Sequence, residues 1–413
     1  MLQTFVNIIL DGGFMQERIV LHVDVNNAFL SWTAVDMLNN GSKIDIRNIC
    51  SVIGGDESQR RGIVLAKSYP AKENGVVTAE TLYSARRKCP NLAVYSPDYK
   101  LYSKYSNMLY KYLSNYSPLI ERYSIDECFL DYTESQKLFG DPYQLACKIK
   151  EDIKKYLGFT VNVGIGNNKL CAKMASDFEK PDKVHTLYQD EIKEKMWPLS
   201  VDDLFMVGKQ TATKLHALNI NTIAELAKTD LEFLKIHFKS FALTLWNFAN
   251  GIDNSLVEPV KPEQKSISMT TVLPYDYEDK DKLLFVIKKL SIAVGMKLRK
   301  QNKYANTIIL GFKYKDFSKI SKQAKCNSSI NSDHAIYEEV KLIFNKLWRG
   351  EKIRSITVGV SDLDNVCKVQ LSLFENQYKI KDEENSLQKV IDLINQKYGA
   401  NKIMYGQISS KNE

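Results

Sequence analysis

The run Tyr123-Ser124-Ile125-Asp126-Glu127-Cys128-Phe129-Leu130-Asp131 sets two acids side by side in a stretch otherwise suited to a buried strand. Ile125, Phe129 and Leu130 are strand residues, whereas Asp and Glu are depleted in strands and costly to bury without partners. Neighbouring side chains on a straight strand point to opposite faces. Asp126 and Glu127 can therefore serve one site only where the chain turns, as at a hairpin tip. The plain alternative is an exposed tip carrying two solvated charges. About a hundred residues upstream, Arg18–Asn27 reads as a second buried strand, with Ile19, Val20, Leu21 and Val23 as its apolar run and Asp24 at its C-terminal end. Open α/β sheets place ligands at that end of a strand; the alternative for Asp24 is a strand-end cap. Carboxylates brought together are stable only with cations among them.

The elements that must position these acids follow from pattern. A helix over roughly Ala28 to Asn39 closes at Asn40-Gly41. Tyr69-Pro70-Ala71-Lys72 reads as a loop holding an aromatic and a cation, and Thr78 to Lys88 as a short basic helix stopped by Cys89-Pro90. Tyr99 to Ser117 is an aromatic-rich helix, its Leu101, Tyr105, Leu109 and Tyr112 stripe being ordinary core, and Pro118 ends it. Leu145, Ile149, Ile153 and Leu157 mark the buried face of a helix over 142–157. A strand from Phe159 to Gly164 leads into Gly166-Asn167-Asn168, which opens a helix with Lys169 and Lys173 on one face. The order β, α, hairpin, α, β, α predicts a small antiparallel sheet with helices on one face.

Past Trp197 the pattern becomes helical. Leu204 to Val207 is expected as a short helix, Gly208 as a turn, and Lys209 to Leu215, with Lys214, as a second helix. This resembles a helix-hairpin-helix unit, in which Gly208, Lys209 and Lys214 would meet a DNA phosphate through backbone N–H groups and charge. A plain helical hairpin is the alternative. Glu258-Pro259-Val260-Lys261-Pro262 is a linker. Beyond it, strands over Lys265–Leu273, Asn306–Lys313 and Ile353–Val360, with helices over Lys280–Arg299 and Ile336–Leu347, predict a separate α+β domain. Residues 375–413 form a charged tail with one helix near Asn385 to Asn395.

The 413 residues are too many for one ordinary core, so two to four domains are expected. Hydrophobic residues at 44% and charged residues at 26% are those of a globular protein, and no apolar run approaches a membrane span. Residues 259–375 carry 21 Lys and Arg against 13 Asp and Glu, a surplus of 8 that equals the whole net charge of +8. Such a basic region suits a polyanion partner; a lysine-rich surface from a biased genome would look the same. The seven cysteines (50, 89, 128, 147, 171, 326, 367) are scattered without CxxC spacing, so neither a zinc site nor a disulfide framework follows, and a reducing cytoplasm is the expected compartment. Residues 1–17 are too weakly flanked for a signal peptide. Met15, after Asp11-Gly12-Gly13-Phe14, is expected to be the natural start, which the intact mass of the native protein would show.

Taken in order, Val23-Asp24, Ser124-Ile125-Asp126-Glu127, and Gly164-Ile165-Gly166-Asn167-Asn168-Lys169 with Ala172-Lys173 and Lys180-Pro181 resemble the Y-family lesion-bypass DNA polymerases, close to the bacterial DNA polymerase IV group. The resemblance runs from about Arg18 to Phe374. It implies a multidomain α+β right-hand polymerase with a ferredoxin-like palm (18–27 and 98–187), small fingers (28–97), a helical thumb with a helix-hairpin-helix (188–258), a linker (259–264) and an α+β little finger (265–374). The implied activity is template-directed, low-fidelity translesion synthesis, using two Mg²⁺ ions and dNTPs on primer-template DNA, by a monomer with no membrane association. By resemblance, Asp24, Asp126 and Glu127 are catalytic metal ligands, joined by the Val25 carbonyl. Phe29 excludes a 2′-OH, and Tyr69, Lys72 and Lys180 hold the triphosphate. Lys72 stands where the family often has Arg, and a Lys cannot make the bidentate phosphate fork. Asn26 replaces a common acid, and Asn27 a common aromatic or Cys.

Gln370-Leu371-Ser372-Leu373-Phe374 resembles the peptide by which bacterial polymerases dock on the sliding clamp, with Gln370 on a polar rim and Leu371, Leu373 and Phe374 in an apolar cleft. A last little-finger strand is the alternative. Two other functions fit parts of the pattern: an inactive polymerase-like scaffold for DNA and clamp, and another palm-type enzyme such as a nucleotide cyclase. The first conflicts with the presence of all three carboxylates. The second leaves the thumb hairpins, basic domain and clamp-like peptide without a role.

Overall fold

The computed structural model describes residues 17–58, 60–260, 262–367, 390–394, 397–398 and 403. Met15 and the proposed leader, the clamp-like peptide Gln370–Phe374 and most of the tail lie outside them. The chain packs as two units that part at Lys261/Pro262, with the loop Asp56–Arg61 grouped with the second.

Among the described residues, the first unit holds eight strands: β1 (Val20–Val25), β2 (Ser51–Gly54), β3 (Val64–Lys67), β4 (Ala93–Tyr95), β5 (Ile120–Arg122), β6 (Glu127–Asp131), β7 (Val161–Gly166) and β8 (Val184–Leu187). Five form one sheet in the order β5-β6-β1-β7-β8, antiparallel except for the parallel β7–β8 pair. The short strand β8 is an addition to the expected order. β1 sits at the centre with all six residues buried. Leu21, Val23 and Val25 turn to one face, where they share a core with Trp32, Tyr102, Tyr105, Leu145, Ile149 and Ile153 of helices Ala28–Asn39, Tyr99–Leu113 and Pro142–Leu157. The alternate residues Val20, His22 and Asp24 turn to the other.

That second face is not bare, as a one-sided sheet would be. Helix Lys169–Asp177 crosses it, so the sheet is covered on both sides. Gly164, which lies opposite His22, allows the approach: a Cβ there would meet the Ala172 carbonyl oxygen at 1.9 Å. The helix begins cleanly because Asn168 accepts from the Cys171 N–H (2.8 Å).

A smaller three-stranded sheet, β3-β2-β4, packs over helices Tyr69–Glu73 and Leu82–Lys88. Tyr69–Lys72 is thus a helix start, not a loop. Ser68 caps it through the Ala71 N–H, and Pro70 presets its first turn. The basic helix starts at Leu82 rather than Thr78, because Thr81 is the capping residue. A helical region follows, with helices Lys209–Ala217, Ile223–Lys228, Leu231–Phe238 and Phe241–Ala249 around Leu215, Ile223, Leu226 and Leu245. The expected helix at Leu204–Val207 is instead a 3-10 turn at Val201–Asp203 followed by a bend with Met206 at φ +70°.

Among the described residues, the second unit is a four-stranded antiparallel sheet, β9 (Ser266–Tyr277), β10 (Tyr304–Tyr314), β11 (Lys319–Ile330) and β12 (Ile353–Asp364), ordered β11-β10-β12-β9. Helices Lys280–Lys300 and Asp333–Leu347 cover one face through Ile287, Val294, Val340 and Phe344. β11 was not expected; it is a mostly exposed edge strand whose Lys319, Lys322 and Lys325 face solvent. Among the described residues, no helix is long and apolar enough to cross a membrane.

Candidate active site

β1 and β6 are register partners with Asp24 directly opposite Glu127. Their side chains share the face crossed by helix Lys169–Asp177. Residues 123–126 form the turn before β6, tied by Tyr123 and Ser124 N–H groups to the Glu127 carbonyl (3.0 and 3.2 Å). The Val25 N–H donates to the Asp126 carbonyl (3.1 Å), which fixes the turn against the end of β1. Two sequence-adjacent acids can thus meet a third from the neighbouring strand, because one of them is on a turn and escapes the alternation of the strand.

Each acid has its own partner. Lys180 pairs with Asp24, and also with Asp177 (2.7 Å). Lys173 pairs with Glu127. The Asp126 carboxylate accepts from the Ser124 hydroxyl (2.5 Å). Asp24 is 8% exposed, and burial pushes its carboxyl up to about 6; Lys180 opposes that rise, while Glu127 and Asp126 add to it. At Lys180 burial works against the charge, but Asp24 and Asp177 outweigh it and hold the ammonium above its ordinary range. Among the described residues, no three acidic, His or Cys side chains stand together as a ready-made metal cage. The donor set nevertheless fits a hard cation: two carboxylates in cross-strand register with a third beside them, all oxygen. The two lysine ammonium groups now carry the compensating charge.

Several positioning residues carried no readable signal. His22 is fully buried on the same face as Asp24, two residues before it. Its Nδ1 lies 2.7 Å from the Ser176 hydroxyl, which itself donates to the Lys173 carbonyl (2.8 Å), so the Nδ1–H is the donor. Burial, then Lys173 and Lys180, hold the imidazole well below its ordinary range and therefore neutral. Its Nε2 is left without a hydrogen-bond partner, 3.8 Å from a Glu127 oxygen. Asn26, where the family often has an acid, is structural here. It donates to the Asn162 side chain (3.1 Å) and accepts from the Asp182 N–H (3.0 Å). Asn162 in turn donates to the Ser176 and Glu179 carbonyls (3.0 and 2.6 Å). This buried amide pair holds the 179–183 segment, and with it Lys180, against β1. Asn27 takes φ +48°, the left-handed turn from β1 into the next helix that Asn tolerates better than most residues.

That helix carries Phe29 one residue in. Its ring stacks on Tyr102 (4.4 Å between centroids, 8° between planes) and meets the edge of Tyr99 (6.2 Å). Tyr69 feels the charges of both Lys180 and Asp24, and burial raises its phenol above the ordinary range. Lys72, one turn further on, is exposed. In the helical region Gly208 is the N-cap of Lys209–Ala217 with no side-chain cap, leaving that end to its backbone N–H groups. Lys214 does not reach outward; its ammonium binds the His237 carbonyl and lies 5.0 Å from the Phe238 ring.

The pattern of the impB/mucB/samB family matches residues 23–177, and that of its C-terminal domain matches residues 264–373. DNA polymerase IV of Clostridium acetobutylicum is 47% identical over 96% of this chain and 99% of its own. DNA polymerase IV of Acetivibrio thermocellus is 36% identical over 93% and 95%. Among solved structures, a Y-family DNA polymerase chimera, Dbh-Dpo4(243-245)-Dbh, superposes with a TM-score of 0.71, covering 83% of this chain and 98% of that one at 24% identity. The chain belongs to the impB/mucB/samB family of Y-family DNA polymerases, within its DNA polymerase IV group. The right-hand architecture follows, with the five-stranded sheet as palm and the basic second unit as little finger.

Proposed function

We propose that the chain is a DNA-directed DNA polymerase that copies damaged template with low fidelity, by nucleotidyl transfer from a dNTP to a primer 3′-OH. The observation that carries this reading is the cross-strand pairing of Asp24 with Glu127 beside the Asp126 turn, in a chain of this family. Asp24, Asp126, Glu127 and the Val25 carbonyl would hold two Mg²⁺ ions. When bound, these would stabilise the attacking and leaving oxygens of an in-line displacement. Lys180 is tied to Asp24, and Lys173 to Glu127. A cation held by these carboxylates would take over the charge that the two ammonium groups now balance, and Lys180, still paired with Asp177, would bind triphosphate oxygens together with Tyr69 and Lys72. Primer extension on a defined template tests the reading: template-dependent growth supports it, and its absence with every cofactor present overturns it.

Phe29 is the proposed sugar gate. Its ring is pinned by Tyr102 and Tyr99, so it cannot swing aside for a 2′-OH. Phe29→Ala should raise the rNTP-to-dNTP ratio of kcat/KM by about 10- to 200-fold, the range for relieving a small steric misfit. Steady-state incorporation of ATP against dATP opposite dT measures it; an unchanged ratio would remove Phe29 from this role.

The second unit would grip duplex backbone without reading sequence, with the exposed lysines of β11 among its contacts. Gly208 and Lys209 would meet a phosphate at the free helix end, and Lys214 contributes there only if it leaves His237. The thumb would span 188–258 and the little finger 265–374. Gln370, Leu371, Leu373 and Phe374 would dock on a sliding clamp as a monomer's tether. Changing Leu373 and Phe374 to Ala should abolish clamp binding in a pull-down while circular dichroism stays unchanged; retained binding would exclude the peptide as the tether.

A further inference from the structure

Two of the seven scattered cysteines meet in space. Cys50 immediately precedes β2, and Cys89 caps the C-terminus of helix Leu82–Lys88. The chain returns from Cys89 through a turn closed by the Leu92 N–H on the Cys89 carbonyl (3.1 Å). It then runs parallel to β2, with the Ala93 N–H on the Cys50 carbonyl (3.0 Å). This sets both thiols at the core formed by Val52, Val64, Ala71 and Leu82: Cys89 belongs to it and Cys50 packs against it. Cys50 is half-buried and Cys89 buried. Burial, then the neighbouring Cys50, raises the Cys89 thiol above its ordinary range, so Cys89 stays protonated and Cys50 is the group that meets solvent reagents first.

We propose that Cys50 and Cys89 are an oxidative modification site, converted by hydrogen peroxide into a reversible intramolecular disulfide. The Cys50 thiolate attacks one peroxide oxygen, the O–O bond breaks, and Cys50 becomes a sulfenic acid as hydroxide leaves. The Cys89 sulfur then attacks the Cys50 sulfur, the S–O bond breaks, and the departing hydroxide takes the Cys89 proton. The balance is two thiols and one peroxide giving one disulfide and two waters. The bond would tie the start of β2 to the end of helix Leu82–Lys88, beside the helix that begins at Tyr69. Asn74 links the two directly, donating to the Cys50 sulfur (3.3 Å) and to the Pro70 carbonyl (2.9 Å). A Cys50 sulfur drawn to Cys89 loosens that link. On the reading of Tyr69 and Lys72 as triphosphate ligands, it shifts their helix.

The test treats the full chain with peroxide, blocks remaining thiols, and maps peptides by mass spectrometry. The expected result is a peptide pair joined through Cys50 and Cys89, absent in Cys50→Ser and Cys89→Ser and lost on adding dithiothreitol. The dNTP KM should rise several-fold in the oxidised chain and recover on reduction, with no change in Cys50→Ser. Blocked thiols at both positions after peroxide would overturn the site. A linked pair with an unmoved KM would overturn the coupling to the Tyr69 helix, provided Tyr69→Ala does raise KM. If Tyr69→Ala leaves KM alone, the failure lies in the nucleotide reading and not in the thiol pair.

Discussion

Asp126→Ala should reduce primer extension by at least about 10³-fold, the scale for losing one charged group aimed at a phosphoryl-transfer site. The substitution is clean for a physical reason. The turn that carries Asp126 is held by backbone bonds, from Val25 to the Asp126 carbonyl and from Tyr123 and Ser124 to the Glu127 carbonyl. Among the described residues the Asp126 carboxylate bonds only the Ser124 hydroxyl, two residues away and half-buried. Removing the carboxylate leaves the hairpin, the strand register and the core intact. Affinity for primer-template should therefore remain within a few-fold of the parent while the rate collapses, and both are read in one single-turnover series. Retention of more than a tenth of the rate would show that Asp126 is not among the groups that act on the reacting phosphate.

How much of this was legible in the sequence depends on which force set each feature. β1 and the helix over 142–157 are fixed by apolar periodicity, and their expected positions agree with the structure to within a residue or two. The acid pair was legible because Asp and Glu are conspicuous in an apolar strand. The hairpin needed to bring them to one site is present as expected. β11 was not legible, because a strand that buries almost nothing shows no alternation; its lysines are placed by pairing with β10 alone. The Tyr69 helix was missed because five residues are too few to show a period, although Ser68 and Pro70 were a usable start signal. The lysine partners of Asp24 and Glu127 are long-range events, set by how helix Lys169–Asp177 crosses a glycine in β7. A single sequence states Gly164 and Lys173 without stating that they lie on the same face as Asp24. The thiol pair belongs to the same class, since nothing local links Cys50 to Cys89.

Asp24→Asn should make the metal-free protein more stable at pH 7, by up to about 3 kcal/mol. Asp24 titrates at its ordinary value of 3.8 in an unfolded chain and is pushed up to about 6 in the fold. Below 3.8 the carboxyl is protonated in both states and imposes no penalty. Between these values the unfolded chain ionises first, so folding becomes less favourable as pH rises. Above about 6 the full penalty is in place, because a nearly buried carboxylate faces Glu127 and Asp126 with Lys180 as its ion-pair partner among the described residues. An amide at this position carries no such penalty, and Lys180 keeps Asp177 as a partner (2.7 Å). Urea midpoints in chelator should thus coincide near pH 4 and diverge towards pH 7, with the variant the more stable. A wild-type chain that gains on the variant as pH rises would mean that the Lys180 pair outweighs burial, reversing the sign. Adding Mg²⁺ should narrow the gap, because a cation held by Asp24 stabilises only the chain that can bind it. The same substitution should remove primer extension, so the most stable form of this site is one that cannot work.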